Sequence, residues 1–175
     1  MASLLVLGGA RSGKSRYAEA RAVETGLECV YVATAEAGDA EMRARIAHHR
    51  AGRGDGWLTV EAPLDLVGAI DAHAGAHRVV LVDCLTLWLS NRMLAQADVQ
   101  SAVPDVVAAI GRASGPVILV SNEVGWGIVP DNALARRFRD AAGFANQHVA
   151  AAVDEVQLVC AGLPLPLKRP STRQV

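Results

Sequence analysis

A doubly wound α/β fold, with a mainly parallel sheet covered by helices on both faces, is the architecture this sequence predicts. Three observations lead there. Short apolar runs recur along the chain and are apolar at nearly every position instead of alternating, the pattern of strands buried on both faces. Helical patterns lie between them, so strand and helix alternate. The first apolar run ends in a glycine-rich loop that passes directly into a helical pattern.

Taken in order, the strand candidates are Leu4–Leu7, ending in Gly8-Gly9, then Cys29–Thr34, Arg78–Cys84, Pro116–Asn122 and Val156–Cys160. Trp57–Glu61 reads as a further short edge strand. The helical candidates are Lys14–Glu24, Asp39–Arg50, Pro63–Ala72, Leu85–Ala95, Pro104–Arg112 and Asn132–Ala152. The longest of these begins after Pro130, with Asp131 offered as its cap. Leu134, Phe138, Ala141 or Ala142, and Ala145 fall at helical spacing along it. Ala74–Arg78 and Gly111–Pro116 read as helix-to-strand loops. No repeat or long linker divides the chain, so one domain is expected over residues 1–175. From residue 163 an irregular tail is expected, lying over the surface or adding a short edge strand, with no chemistry assigned to it.

The 175 residues are enough for one sizeable core. Hydrophobic residues make up 51% and aromatics 4%, so the core is built from Val, Leu, Ile and Ala. A formal net charge of −1 argues against nucleic-acid binding or a membrane-surface field. Cys29, Cys84 and Cys160 are scattered in apolar runs without a CxxC pair. They read as reduced, buried thiols of a cytoplasmic protein, with no zinc site. The apolar N-terminal run is too short to span a membrane and leads straight into the glycine loop, so it reads as a strand and not as a signal peptide. No membrane-spanning segment is expected elsewhere.

The glycine loop has the spacing G-x-x-x-x-G-K-[ST], with Gly8, Gly9, Ala10, Arg11, Ser12, Gly13, Lys14 and Ser15 in sequence. Glycines let the backbone turn tightly and aim N–H groups at phosphate oxygens. The following helix adds the positive end of its dipole. Lys14 is expected near the cradle surface as a mobile charge for the β- and γ-phosphates, and the Ser15 hydroxyl is suited to Mg²⁺. The strand before the loop and the helix after it make this a P-loop NTPase domain of the RecA-like type.

Asp83 ends the Val79–Val82 run. It reads as a metal ligand with Ser15, favoured by its position at a core strand's end, or as a cap for the helix beginning near Leu85. Asn122 and Glu123 end the next core strand, at the sheet edge where ligands bind in such folds. They are followed by a shaped loop containing Gly125-Trp126-Gly127. Trp126 reads as a loop residue or as an anchor on a neighbouring subunit.

His48 and His49 close the Asp39–Arg50 helical pattern. Glu41, Arg45 and His49 share one face, while His48 lies on another. Helical geometry therefore assigns the two imidazoles different surroundings. Both suit a helix C-terminus, where cations are favoured, and the residues by themselves leave open whether either does chemistry.

Four stretches, "GGARSGKSRYAE", "YVATAEAGDAEMRARIAHHRAGR", "VDCLTLWLSN" and "NEVGWGIVPDNALARRFRDAAGFANQ", together resemble the bifunctional adenosylcobinamide kinase / adenosylcobinamide-phosphate guanylyltransferase family. The similarity runs in the same order to about Gly162. The glycine loop is generic, whereas "RIAHHR" and "NEVGWGIVP" are specific. The resemblance implies two reactions of cobamide (vitamin B12) biosynthesis. ATP or GTP phosphorylates adenosylcobinamide, and GTP then guanylylates that phosphate to give adenosylcobinamide-GDP and pyrophosphate. It implies a GMP-histidine intermediate on His48, the first histidine of the pair, with Lys14 as the second catalytic residue. It also implies nucleotide contacts at Ala33, Thr34 and Ala35, at His49, Arg50, Ala51 and Gly52, at Glu61, and at Asp83, where relatives carry Glu or Asp. Glu61 reads as well as a solvated strand end. A homotrimer with the nucleotide near a subunit interface is the implied assembly. Two other readings of the residues are a P-loop small-molecule kinase without a covalent step and a nucleotide switch acting on a partner.

Overall fold

The computed structural model describes residues 3–36, 54 and 56–170. Their elements are β1 (Leu4–Gly8), α1 (Lys14–Val23), β2 (Glu28–Ala33), β3 (Trp57–Glu61), α2 (Leu66–His73), β4 (Arg78–Asp83), α3 (Leu85–Leu94), α4 (Ala102–Arg112), β5 (Val117–Asn122), α5 (Ala133–Ala152), β6 (Glu155–Cys160) and β7 (Leu163–Lys168). The expected helix over Asp39–Arg50 lies outside the described residues. The strands form one sheet in the order β3-β2-β4-β5-β1-β6-β7. The first six run parallel, and β7 returns antiparallel beside β6.

Side chains alternate between the two faces of every central strand. Leu4, Val6, Tyr31, Val79, Leu81, Ile118 and Val120 meet Ala18 and Ala22 of α1 on one face. Leu5, Leu7, Val30, Val32, Val80, Val82, Val117 and Leu119 meet α2, α3, α4 and α5 on the other. Both faces are covered, which is why the strands read as unbroken apolar runs. The small Ala18 and Ala22 let α1 approach the sheet closely. Trp88 of α3 is buried in the larger layer, and its indole N–H donates to the Leu64 carbonyl at 2.9 Å.

Local chemistry sets the helix ends. Asn132, not the expected Asp131, caps α5: its side chain accepts from the Ala135 N–H at 2.8 Å. The apolar stripe of α5 runs through Ala142, Ala145 and Val149, with Phe138 partly buried beside it, and leaves Leu134 exposed. α2 starts three residues after Pro63, because Asp65 accepts from the Gly68 N–H and fixes the first turn there. α4 starts two residues before Pro104, which sits in the first turn where its missing N–H is harmless.

Of the two expectations for the tail, the short edge strand is realised over Leu163–Lys168 as β7, so the tail is not irregular there. Ala161 and Gly162 make the two-residue turn, with φ of 52° and 81°, the backbone of a tight hairpin. Pro164 and Pro166 are tolerated because an edge strand needs only one side of its ladder. Lys168 then donates to the carbonyls of Ala150, Ala151 and Val153 at the end of α5, a cation on exposed helix carbonyls. At the start of β6, Glu155 accepts both terminal nitrogens of Arg21 at 2.9 and 2.8 Å and the Gln157 amide at 2.7 Å. This pair ties α1 to the sheet.

Candidate nucleotide site

The loop between β1 and α1 has the shape its glycines permit. A Cβ on Gly8 would stand 2.4 Å from Ser12 Oγ and 2.6 Å from the Val159 carbonyl, so no side chain fits. Gly13 takes φ of +93° and passes 3.3 Å, measured from where its Cβ would be, from Gly162 Cα. The Ser12 N–H turns back to the Gly9 carbonyl at 3.3 Å. Gly13 is the N-cap of α1 and supplies no side-chain acceptor. The first-turn N–H groups therefore carry no side-chain cap, the arrangement that receives anions.

Lys14, expected near the surface of the cradle, is buried in this structure. It is 8% exposed, and its Nζ donates to the Gly9 carbonyl at 3.1 Å. The charge is thus held across the loop, inside the cradle. Ser15 follows in the first turn, half-buried. The loop has a brace that the sequence did not signal: the Gly162 N–H of the β6–β7 turn donates to the Ser12 carbonyl at 2.8 Å.

Sheet register gathers the other candidates at the carboxyl edge. Ala33 of β2 pairs with Glu61 of β3 on one side and with Asp83 of β4 on the other. The three residues form one row across adjacent strands. Asp83 accepts the Tyr31 hydroxyl at 3.2 Å through Oδ2. It does not cap α3, whose N-cap is Cys84 and has no side-chain cap bond. The capping alternative for Asp83 is therefore not realised. The Asp83–Cys84 peptide bond is cis.

Thr34 is fully buried at 0% exposure. Its hydroxyl accepts from the Cys84 N–H and donates to the Cys84 carbonyl, both at 2.8 Å. Its own carbonyl receives the Asn91 amide at 2.8 Å. The Thr34 hydroxyl is thus committed to holding the backbone after Asp83, while Ala33 and Ala35 beside it are half-buried. Burial, reinforced by the Asp83 charge, pushes the Cys84 thiol up to about 11, and the Cys29 thiol is raised by burial. Cys160 is exposed, against the expectation that all three thiols are buried.

The end of β5 lies between the two groups. Gly8 pairs with Asn122, Asp83 pairs with Val120, and the Glu123 N–H donates to the Gly8 carbonyl at 3.1 Å. Asn146 of α5, 6% exposed, reaches this point from below. Its Nδ2 donates to the Asn122 carbonyl at 3.3 Å and to Glu123 Oε1 at 3.2 Å. Its Oδ1 is buried and has no hydrogen-bond partner. Sequence reading missed Asn146 because it sits mid-helix with no motif around it; a polar residue on an apolar stripe was the one available signal. His48, His49, Arg50, Ala51 and Gly52 lie outside the described residues.

A strand-loop-helix phosphate cradle in a sheet of this order defines a P-loop nucleotide-binding domain. The fold agrees with solved structures of that type. The flagellar accessory protein FlaH of Methanocaldococcus jannaschii superposes with a TM-score of 0.58 at 13% identity, over 97% of this chain and 79% of that one. The RadB recombinase superposes at 0.51 and 14% identity, over 90% and 73%. Sequence comparison goes further. The chain belongs to the cobinamide kinase / cobinamide phosphate guanyltransferase (CobU) family, whose model matches residues 4–167. It is 50% identical to the bifunctional adenosylcobalamin biosynthesis protein CobP of Pseudomonas aeruginosa, over 94% of this chain and 96% of the relative. It is 41% identical to the corresponding CobU protein of Escherichia coli, over 94% and 99%.

Proposed function

We propose that this protein catalyses both reactions named by its family: phosphorylation of adenosylcobinamide by ATP or GTP, then transfer of GMP from GTP to adenosylcobinamide phosphate, releasing pyrophosphate. The observation that carries this reading is the phosphate loop, complete from Gly8 to Ser15 and rigidly braced, in a chain that matches the family over residues 4–167. Gly8–Gly13 and the first turn of α1 hold the polyphosphate through backbone N–H groups. Lys14 stabilises charge on the transferring group. The row Glu61–Ala33–Asp83 borders the nucleotide, with Thr34 and Ala35 behind it.

Ser15 and Asp83 fit a Mg²⁺ ion. One is a hydroxyl in the first turn of α1. The other is a carboxylate on the same sheet face as α1, at the carboxyl edge. Mg²⁺ bound there would neutralise phosphate charge and orient the oxygens. For the second reaction we propose His48 as nucleophile: a neutral imidazole nitrogen attacks the α-phosphorus of GTP, the bond to pyrophosphate breaks, and the phosphoramidate passes GMP to the cobinamide phosphate. His49, Arg50, Ala51 and Gly52 would contact the same nucleotide.

We further propose that the active form is a homotrimer in the cytoplasm, built on the one domain. Support for assembly comes from the loop after β5, where Trp126 is 77% and Ile128 97% exposed; apolar surface of this kind marks protein contacts. The functional test is turnover: purified protein, adenosylcobinamide, GTP and Mg²⁺ should yield cobinamide phosphate and then adenosylcobinamide-GDP with pyrophosphate. Absence of both products would reject the reading.

A further inference from the structure

The end of β5 contains a polar arrangement that neither the phosphate loop nor the guanylylation chemistry uses. Glu123 follows the last residue of a strand inserted between the cradle strand β1 and the Asp83 strand β4. Its backbone N–H is bonded to Gly8, the first residue of the cradle. Its carboxylate is half-buried and forms no salt bridge among the described residues. Its recorded contact is a neutral donor, the Asn146 amide at 3.2 Å. A surface carboxylate would ordinarily be free to rotate. This one is held by an amide that is itself anchored on the Asn122 carbonyl.

Asn146 is costly where it stands. It is nine-tenths buried on the apolar stripe of α5, between Ala142, Ala145 and Val149, and its Oδ1 is stranded. An unsatisfied buried polar atom destabilises the fold, because its lost hydration is not replaced. An alanine there would continue the stripe and avoid that cost. An amide is needed only if the orientation of Glu123 and of the Asn122 backbone matters.

We propose that Glu123, oriented by Asn146, accepts the proton of the hydroxyl that is phosphorylated in the kinase reaction. The inference rests on the kinase reading above. The substrate hydroxyl oxygen attacks the γ-phosphorus, and the new O–P bond forms. The bond from the γ-phosphorus to the bridging oxygen breaks, and the nucleoside diphosphate leaves with the electron pair. The hydroxyl proton passes to the Glu123 carboxylate, and later to water. Glu123 is suited to this because its carboxylate has no paired cation among the described residues and its backbone N–H, bonded to the Gly8 carbonyl, sets the residue beside the start of the phosphate cradle. The guanylyl half-reaction needs no such acceptor, because its substrate oxygen belongs to an already ionised phosphate. Asn146 acts through Glu123 and is a positioning residue.

The test compares the two half-reactions in the full-length protein. Glu123→Gln should lower kcat for cobinamide phosphorylation by about 10²–10⁴-fold, the range for a lost general base. Its KM for nucleotide should stay within about threefold, since ground-state binding is not removed. Its guanylyl transfer to pre-formed cobinamide phosphate should keep most of the wild-type rate. Glu123→Asp, which retains a carboxylate, should phosphorylate faster than Glu123→Gln and guards against misreading a folding defect. Asn146→Leu keeps the approximate size but loses the donor, and should show the same selective fall in phosphorylation. Equal loss of both half-reactions, or phosphorylation by Glu123→Gln at the wild-type rate, would overturn the proposal. Wild-type protein that fails to phosphorylate cobinamide would instead refute the functional reading on which it rests.

Discussion

Thr34→Val isolates the link between the second strand and the acidic end of β4. The two side chains have nearly the same shape, so the change removes a hydroxyl and leaves no cavity. In the native protein that hydroxyl serves the Cys84 N–H and carbonyl, both at 2.8 Å. The carbonyl keeps a second donor, the Trp88 N–H at 3.2 Å. The N–H has no other acceptor among the described residues, and Cys84 is buried. The loss is therefore one stranded buried donor, about 1–3 kcal/mol. For a domain of this size that corresponds to a fall in Tm of roughly 2–4 °C per kcal/mol. Because the stranded group adjoins Asp83, the steps that the proposed Mg²⁺ would support should weaken as well. Thr34→Ser retains the hydroxyl and should keep nucleotide affinity close to wild type. Urea unfolding followed by circular dichroism, with nucleotide affinity by calorimetry, gives both readouts. A valine variant as stable and as tight-binding as wild type would refute the bracing role. Normal stability with lost affinity would mean that Thr34 touches the nucleotide directly.

Lys14→Met should disable both half-reactions, lowering kcat/KM by an amount equivalent to a few kcal/mol; near-normal turnover would remove the phosphate-loop assignment. The Arg21 guanidinium holds the Glu155 carboxyl below its ordinary range, against the opposing effect of burial and with help from Gln157. A depressed folded-state pKa contributes stability that is present above the unfolded value and lost as the pH falls through the folded one. Wild type should accordingly lose this contribution below about pH 4. Arg21→Met should be destabilised at neutral pH by about 2–3 kcal/mol, less than a fully buried pair would cost, because the Arg21 side chain is 29% exposed. An unchanged stability-versus-pH curve would contradict this. In thiol titration at pH 8, Cys160 should react at once, while the buried Cys29 and Cys84, both with raised pKa, react only on unfolding. Rapid labelling of Cys84 in the native protein would be inconsistent with the packing around it.

Much of this architecture was legible in the chain because it rests on local patterns. Unbroken apolar runs reported strands covered on both faces, and the Gly8–Ser15 spacing reported the cradle. Glu61 and Asp83 were found as separate strand ends; the parallel register that puts them in one row with Ala33 is a long-range property no local pattern carries. The same limit hid the Gly162–Ser12 bond, which joins residues far apart in sequence, and the burial of Lys14, which depends on the loop folding over its own side chain. Asp131 and Asn132 are equally good caps by type, and the backbone path at the start of α5 chose the second. Leu163–Lys168 was legible only as a choice between surface coil and edge strand, because its two prolines argue against a central strand and do not decide between the other two.

The most direct test of the account is the mass of the intact protein after incubation with GTP and Mg²⁺, followed by mapping of any modified peptide. The account predicts one covalent GMP per chain on His48, labile to acid and stable to alkali as a phosphoramidate is. It should be retained in His49→Ala and absent from His48→Ala, which still phosphorylates cobinamide. An unmodified wild-type protein that nevertheless makes adenosylcobinamide-GDP, or GMP attached to any residue other than His48, would contradict it.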